Sequence, residues 1–316
     1  MKTQIADWLY LYNTIQQVID NDLKIKLKIF YFSLEMSKEQ KMLSAFSNIL
    51  YVKEGIRIAP KDLRSTKEDK ILSDEILEVI QKYKPYFEKI EEIVEFIDNI
   101  RNPTGIYKFV REYAYKNGTQ HKKKVEFVNN KTGQVFEKEI DDYYEPNDPE
   151  EYVMVFIDHI SLISTENIDG RPMNLHQSII KLSSDYLIRL RNKFGYTLVV
   201  IQQQASSQES LDNFKANKLK PSLDGLGDCK LTQRDADVIL GLFSPFRHEI
   251  PEYKDYNIKF FRDNIRFLEI LGGREGGAGT ICPLYFDGAV NYFKELPRPI
   301  EKDKMEQVYS FIKTIR

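Results

Sequence analysis

Three polar side chains follow short apolar runs of the sequence. Glu35 follows residues 27–32, Asp158 follows residues 152–157, and Gln203 follows residues 197–201. Sheets of parallel strands carry their chemistry at the carboxyl ends of the strands, so these side chains are predicted to meet. Phosphoryl transfer uses an aspartate near the metal ion and a residue that positions or deprotonates the attacking water. Asp158 fits the first role and Glu35 fits the second.

The chain begins with a pair that fits the same chemistry. Lys2 and Thr3 match the last two positions of the phosphate-binding motif G-x-x-x-x-G-K-[ST], in which lysine reaches the phosphates and the hydroxyl reaches Mg²⁺. A Lys-Thr pair alone carries little information. Two structural alternatives stay open. Asp158 could cap the turn that follows it. Glu35 could be an ordinary first-turn acid of a helix that starts at Ser33 or Ser37.

Strands and helices alternate in the sequence and predict an α/β fold with right-handed crossovers. Nearly continuous apolar runs are typical of strands buried on both faces of a parallel sheet. Such runs lie at residues 27–32, 152–157, 197–201 and 238–243. Helical spacing of apolar residues predicts helices over residues 5–15, over residues 179–194 before Gly195, and over residues 66–98 with an interruption near Pro85.

Residues 119–150 break this alternation and are predicted to form an inserted hairpin with an acidic linker. Turn signals lie at residues 116–118 and 131–133, and residues 124–128 and 134–140 alternate between apolar and polar. The acidic, proline-containing stretch 141–149 is interpreted as a linker. The basic cluster at residues 121–124 is interpreted as a solvated edge, and contact with nucleic acid or a protein partner is the alternative.

Composition excludes several classes of protein. The chain has 316 residues, of which 42% are hydrophobic and 30% charged, so it is not an intrinsically disordered chain. No stretch approaches the roughly 20 apolar residues of a membrane span, and no signal peptide is evident, so a cytoplasmic protein is predicted. The net charge is −2, so nucleic acid would have to bind through local loops. Cys229 and Cys282 are expected to be reduced thiols, and no zinc-site spacing is present.

Residues 31–37, Tyr-Phe-Ser-Leu-Glu-Met-Ser, resemble the F-S-L-E-M-S signature of the DnaB-type replicative helicases, in their RecA-like motor domain. Four further segments resemble that domain in the same order, namely residues 156–163, 199–203, 235–240 and 269–280. The resemblance covers residues 2–296. It implies a single domain over residues 1–316, built as a RecA-like P-loop NTPase core. Helices would flank a mainly parallel central sheet, and the hairpin would be an insertion.

The resemblance also implies an ATP-dependent DNA helicase with ATP and Mg²⁺ as cofactors. Lys2 and Thr3 would bind phosphate and Mg²⁺, and Asp158 would support the metal. Glu35 would activate water, and Gln203 would sense the γ-phosphate. Arg274 would act as an arginine finger on ATP held by the neighbouring subunit.

Partners follow from the same resemblance. A ring, expected to be hexameric, would move along single-stranded DNA, and a primase or a helicase loader could bind it. The expected DNA loops are residues 164–177 and 205–230, whose candidate phosphate contacts are Arg171, Lys215, Lys218 and Lys220. A ring presents each loop several times, so modest charge per subunit suffices. The compact motor also suggests a phage or a mobile element as the source.

The sequence departs from the family in ways that affect function. Gly272 stands where the family has a lysine, the helical N-terminal docking domain is missing, and Met1 stands where the last glycine of the phosphate loop belongs. Without the strand before that loop, neighbouring strands would keep unpaired buried amides and carbonyls, at about 1–3 kcal/mol each. We therefore expect an upstream extension or a companion chain to supply that strand, and weak ATP binding without it.

Two further functions are kept as alternatives. The first is a catalytically impaired RecA-like subunit for DNA binding or assembly, favoured by Gly272 and by the missing loop. The retained Glu35, Asp158, Gln203 and Arg274 argue against it. The second is a recombinase or clock-type RecA-like ATPase, which the signature at residues 33–37 disfavours.

Overall fold

A computed structural model of the chain describes residues 2–21, 23–64, 71–130, 132–168, 170–205, 213, 219–227 and 229–314. The strands are β1 (Lys26–Ser33), β2 (Val94–Ile97), β3 (Gly118–Val128), β4 (Val135–Pro146), β5 (Glu151–Asp158), β6 (Asn167–Ile168), β7 (Arg171–Pro172), β8 (Thr197–Ile201), β9 (Val238–Phe243), β10 (Glu252–Tyr253), β11 (Tyr256–Asn257), β12 (Ile265–Gly273), β13 (Ile281–Asp287) and β14 (Tyr292–Glu295).

The longer helices are α1 (residues 2–20), α2 (Lys38–Glu54), α3 (Asp74–Lys82), α4 (Lys84–Ile93), α5 (Pro103–Lys116), α6 (residues 175–194) and α7 (Lys302–Thr314). Helices α1 and α6 contain central π-helical stretches, Asp7–Tyr12 and Lys181–Leu187. Single helical turns lie at Asp62–Arg64, Ile160–Leu162, Leu223–Gly225, Thr232–Asp235, Pro245–His248, Ile258–Phe261 and Arg262–Asn264.

The central sheet is parallel throughout and has the strand order β2-β1-β5-β8. One face packs against α1, α2 and α4 through a core that includes Ile29, Met154, Leu11, Ala45 and Ile90. The other face packs against α5 and α6 through a core that includes Phe30, Val155, Ile157, Ile106 and Leu182. The predicted α/β architecture, with helices on both faces of a parallel sheet, is confirmed. Each fully buried side chain of this size contributes about 1.5–3 kcal/mol.

Strand β9 corrects one expectation. Residues 238–243 do form a strand, but it belongs to a second sheet with the order β14-β13-β12-β9, in which every pairing is antiparallel. The prediction that this run joins the parallel sheet is therefore wrong. A six-residue apolar run indicates a strand, but it does not identify the strand that pairs with it.

Helix α1 spans both sheets. Its first half, with Ile5, Trp8 and Leu9, packs against the antiparallel sheet, and its second half packs against the parallel sheet. Strands β8 and β9 are the end strands of their sheets, so each has one hydrogen-bonded neighbour among the described strands. The expected helix over residues 5–15 is confirmed. It packs against both sheets.

The segment 66–98 is only partly helical. Helices α3 and α4 lie within it and meet at Tyr83, with Pro85 in the first turn of α4, where its missing N–H costs nothing. Residues 94–97 form β2 instead, which corrects the helix prediction there, because pairing with β1 overrides local helical spacing. Residues 65–70 lie outside the described part. Helix α6 ends before Gly195, whose φ of 73° suits glycine.

Strands β3 and β4 form the predicted hairpin, and nearly all of their residues are exposed or half-buried. The acidic stretch is mostly strand: β4 continues to Pro146, so the predicted linker shrinks to residues 147–150. Acidic side chains of β4 pair with the basic cluster of β3, as in His121–Glu145 at 2.8 Å and Lys123–Asp142 at 2.8 Å. These pairs explain why β4 is rich in acidic residues. They lie on the solvated edge that the sequence predicts.

The hairpin end is expected to be dispensable for folding. Replacing residues 124–139 by Asn-Gly keeps the Lys123–Ile140 pair next to a favourable two-residue turn. The deleted side chains, Phe127 and Phe136 among them, are largely exposed. The free energy of unfolding, measured with urea, should change by less than about 1 kcal/mol. A larger loss would show that the hairpin supports the domain.

Candidate functional site

The carboxyl ends of β1, β5 and β8 lie side by side. Ser33 pairs in register with Asp158, and Asp158 pairs with Ile201. The first turn of α1 reaches the same edge, where the Thr3 hydroxyl donates a hydrogen bond of 2.8 Å to Oδ1 of Asp158. The two residues to which the resemblance gives a metal role, Thr3 and Asp158, therefore lie in contact. This contact joins residues that are 155 positions apart in the chain.

Asp158 is fully buried, and its carboxylate oxygen Oδ2 contacts two buried side chains. Its Oδ2 lies 3.0 Å from Nζ of Lys41 and 2.9 Å from the hydroxyl of Tyr31. The side chain therefore does not cap the turn that follows, which was the structural alternative. The backbone is held too, because the amide of Leu34 donates a hydrogen bond of 2.7 Å to the carbonyl of Asp158.

A second buried carboxylate completes this cluster. Asp7 of α1 is 1% exposed, and its Oδ2 lies 3.0 Å from Nζ of Lys41. The Tyr31 hydroxyl lies 2.7 Å from Oδ1 of Asp7, and its one proton can serve only one of the two carboxylates at a time. Burial raises the pKa of Asp7 and outweighs the attraction of Lys41. Burial also raises the pKa of Tyr31, so its hydroxyl stays protonated at neutral pH.

Glu35 lies in the turn between β1 and α2. Helix α2 begins after Ser37, whose side chain accepts a hydrogen bond from the amide of Gln40, while the side chain of Gln40 accepts one from the amide of Ser37. Glu35 therefore precedes the helix and is not a first-turn acid. The Ser33 hydroxyl donates to the carbonyl of Met36 at 2.6 Å and closes the turn, which leaves Glu35 exposed.

His159 connects Glu35 with the end of β8. Its Nε2 lies 3.9 Å from Oε2 of Glu35 and 3.2 Å from the side-chain nitrogen of Gln203. His159 is 6% exposed, and its Nδ1 is buried with no hydrogen-bond partner in the described part of the chain. His159 thus links two of the three strand-end residues predicted from sequence, Glu35 and Gln203, whereas the side chain of Asp158 contacts Thr3, Tyr31 and Lys41 at the same edge of the sheet.

The remaining predicted residues lie outside this constellation. Arg274, at the end of β12, pairs with Asp237 at 3.2 Å and donates to the carbonyl of Arg234 at 3.1 Å. Lys220 pairs with Glu269 at 3.6 Å, Arg171 is exposed in β7, and Lys2 is exposed in the first turn of α1. Lys215 and Lys218 lie outside the described residues, so the predicted DNA loops are described only in part.

The oxygen donors at the strand ends fit a magnesium ion. Mg²⁺ is usually held by one or two protein oxygens, with phosphates and waters as its other ligands. The Thr3 hydroxyl and the Asp158 carboxylate are such a pair. In the part of the chain that the structure describes, no group of three or more His, Cys, Asp or Glu side chains is arranged to hold a metal ion. Cys229 and Cys282 are both free thiols.

Sequence reasoning missed Asp7, Tyr31, Lys41 and His159 as site residues. A signal was available for two of them. Asp7 precedes Leu11 and Ile15 at intervals of four, and Lys41 likewise precedes Ala45 and Ile49, all of them buried positions. A charge on the buried stripe of a helix must be paired or functional.

Comparison with known proteins gives no family assignment. A scan against protein-family models finds no match, and a search of curated proteins finds no significant relative. Among the described residues, no helix is both long and apolar enough to cross a membrane.

Proposed function

We propose that this chain is an ATP-dependent motor of the RecA-like P-loop class, related to the DnaB-type replicative helicases. One observation carries the proposal. The Thr3 hydroxyl, at the N-terminus of α1, hydrogen-bonds the strand-end Asp158, with Glu35 and Gln203 following the neighbouring strands. A hydroxyl and an aspartate at this edge of a parallel sheet suit a nucleotide phosphate with its magnesium ion.

The proposed mechanism assigns one task to each side chain. ATP with Mg²⁺ supplies the transferable phosphoryl group. Lys2 and the N-terminal amides of α1 attract phosphate, and Thr3 and Asp158 hold the metal side. Glu35 is exposed enough to meet a water molecule and takes its proton.

Two residues would connect the site with the rest of a ring. Gln203 follows β8 and contacts His159, which in turn lies near Glu35. A movement of the chain after β8 would therefore be transmitted to Glu35 through His159. Arg274 is half-exposed, with Asp237 as its partner, and the proposal assigns it to ATP held by the neighbouring subunit. Single-stranded DNA would pass through the ring and contact Arg171, Lys215, Lys218 and Lys220.

The Thr3 hydroxyl provides the direct test. Thr3→Val keeps the side-chain shape but removes the hydroxyl, so Mg²⁺-dependent ATP binding should weaken by about 10–100-fold, the effect typical of a perturbed metal site. Thr3→Ser keeps the hydroxyl and is the matched control, with binding within a few-fold of the parent. The measurement is titration calorimetry with a non-hydrolysable ATP analogue, with and without Mg²⁺.

Other outcomes of this test, together with measurements of DNA binding and ATP turnover, decide between the alternatives. Equal binding by the Thr3→Val variant would remove Thr3 from the site. Tight binding of single-stranded DNA by the parent chain, with no ATP turnover at any Mg²⁺ concentration, would favour the impaired DNA-binding or assembly subunit over the motor.

A further inference from the structure

Two charged residues beneath the site have no role in the mechanism above. Asp7 of α1 and Lys41 of α2 are each 1% exposed, and they face each other across the two helices that cover one side of the parallel sheet. Ionised groups are almost never buried this fully unless they are paired. A buried ion pair is also weak evidence for stability, since apolar side chains of similar volume often serve as well or better. A contribution to stability therefore does not explain why this pair is buried.

The geometry around Lys41 indicates another role. Its ammonium group has three protons and four oxygen neighbours, namely Oδ2 and Oδ1 of Asp7 at 3.0 and 3.2 Å, Oδ2 of Asp158 at 3.0 Å, and the hydroxyl of Tyr31. These contacts with three side chains fix the orientation of the ammonium group. Asp7 thus holds Lys41 from one side, and Lys41 holds Asp158 from the other.

This arrangement leaves Asp158 with one orientation. Its Oδ2 is taken by Lys41 and Tyr31, and its Oδ1 is turned to the Thr3 hydroxyl at 2.8 Å. Rotation of the carboxylate would break contacts on both oxygens at once. With neither Lys41 nor Asp7, Asp158 would keep only the neutral hydroxyls of Tyr31 and Thr3.

We propose that the Asp7–Lys41 pair is a positioning device that fixes the Asp158 carboxylate with Oδ1 toward Thr3 and the metal side of the site. Lys41 is a positioning residue, since it acts through Asp158. The consequence for Mg²⁺ rests on the proposed function, whereas the orientation of Asp158 does not. Outer partners of this kind typically change metal affinity by about 10–100-fold.

The test removes both charges together. The double variant Asp7→Leu/Lys41→Leu leaves the net charge unchanged and fills the same space with apolar groups. Its melting temperature should fall less than that of a variant lacking Lys41 alone, because only Asp158, and not Asp7 as well, is then left without a cation. The Mg²⁺ concentration for half-maximal ATP hydrolysis should rise about tenfold or more. A crystal structure of the variant without nucleotide should show the Asp158 carboxylate rotated away from Thr3.

A matched control exists on the same two helices. Asp20 of α1 and Lys53 of α2 form an ion pair at the opposite, partly exposed end. Asp20→Asn/Lys53→Gln should leave the Mg²⁺ dependence and the Thr3–Asp158 contact as in the parent. If the leucine double variant fails to fold, Asp7→Asn/Lys41→Gln replaces it, since this variant keeps hydrogen-bonding groups without the charges.

The readouts separate the two proposals. A folded variant with an unchanged Thr3–Asp158 contact and unchanged Mg²⁺ dependence would overturn the positioning role. A parent chain that never hydrolyses ATP would overturn the proposed function instead. The crystallographic orientation of Asp158 would then still test the Asp7–Lys41 pair by itself.

Discussion

Replacing Glu35 by glutamine is expected to lower ATP turnover by about 10²–10⁴-fold, the usual contribution of a general base. Glutamine has nearly the same shape but cannot take a proton from water. The side chain of Glu35 is 56% exposed, and its carboxylate lies 3.9 Å from Nε2 of His159, so the substitution should leave the fold intact. The dissociation constant for ATP should therefore stay within about threefold, a change of less than 1 kcal/mol.

The control for this prediction lies four residues further along the chain. Glu39 is exposed in the first turn of α2, and Glu39→Gln should change stability by a few tenths of a kcal/mol and leave turnover unchanged. Single-turnover phosphate release, with and without single-stranded DNA, measures both variants. If Glu35→Gln hydrolysed ATP at the parent rate, Glu35 could not be the base, and the motor proposal would lose its central residue.

Replacing Lys41 by methionine is expected to lower the free energy of unfolding by about 3–5 kcal/mol. Methionine fills the space of the lysine stem but carries no charge. Asp7 and Asp158 would then share the Tyr31 hydroxyl with no cation between them. Urea unfolding followed by circular dichroism measures this loss, with a fall in melting temperature on the order of 10 °C.

Lys53→Met is the matched comparison in the same helix. Lys53 pairs with Asp20 at a partly exposed position, where ion pairs contribute about 0–1 kcal/mol. The two methionine variants therefore differ in burial and not in chemistry. A loss below about 1 kcal/mol for Lys41→Met would show that water, or protonation of one of the two carboxylates, compensates for the missing ammonium group. The buried pair would then not be needed for folding.

Much of the site could be predicted because strand ends carry a local signal. A buried run such as residues 152–157 must end where the chain leaves the sheet, and the next polar residue lies at that edge. Asp158 is that residue for β5, whereas Glu35 and Gln203 come two residues after the ends of β1 and β8. The position of Thr3 could not be predicted in this way, because two residues near a terminus form no periodic pattern. Its contact with Asp158 depends on how α1 packs across both sheets.

Strand pairing shows where sequence patterns stop being informative. Residues 238–243 and residues 197–201 look alike as apolar runs, yet one is antiparallel to β12 and the other is parallel to β5. Residues 94–97 look like the end of a helix and form a strand beside β1. In each case the partner segment decides, and the partner is distant in the chain.

The sequence by itself determined the α/β alternation, the inserted hairpin and the three polar residues at the strand ends, because periodicity and turn chemistry act over a few neighbouring residues. The tertiary structure alone decided which sheet each strand joins and which charges meet. Asp7 and Lys41 are 34 residues apart, and although each lies on the apolar stripe of its own helix, neither segment identifies the other as its partner. They become one buried pair because α1 and α2 pack on the same face of the sheet. The pairing is a property of that packing and not of either segment.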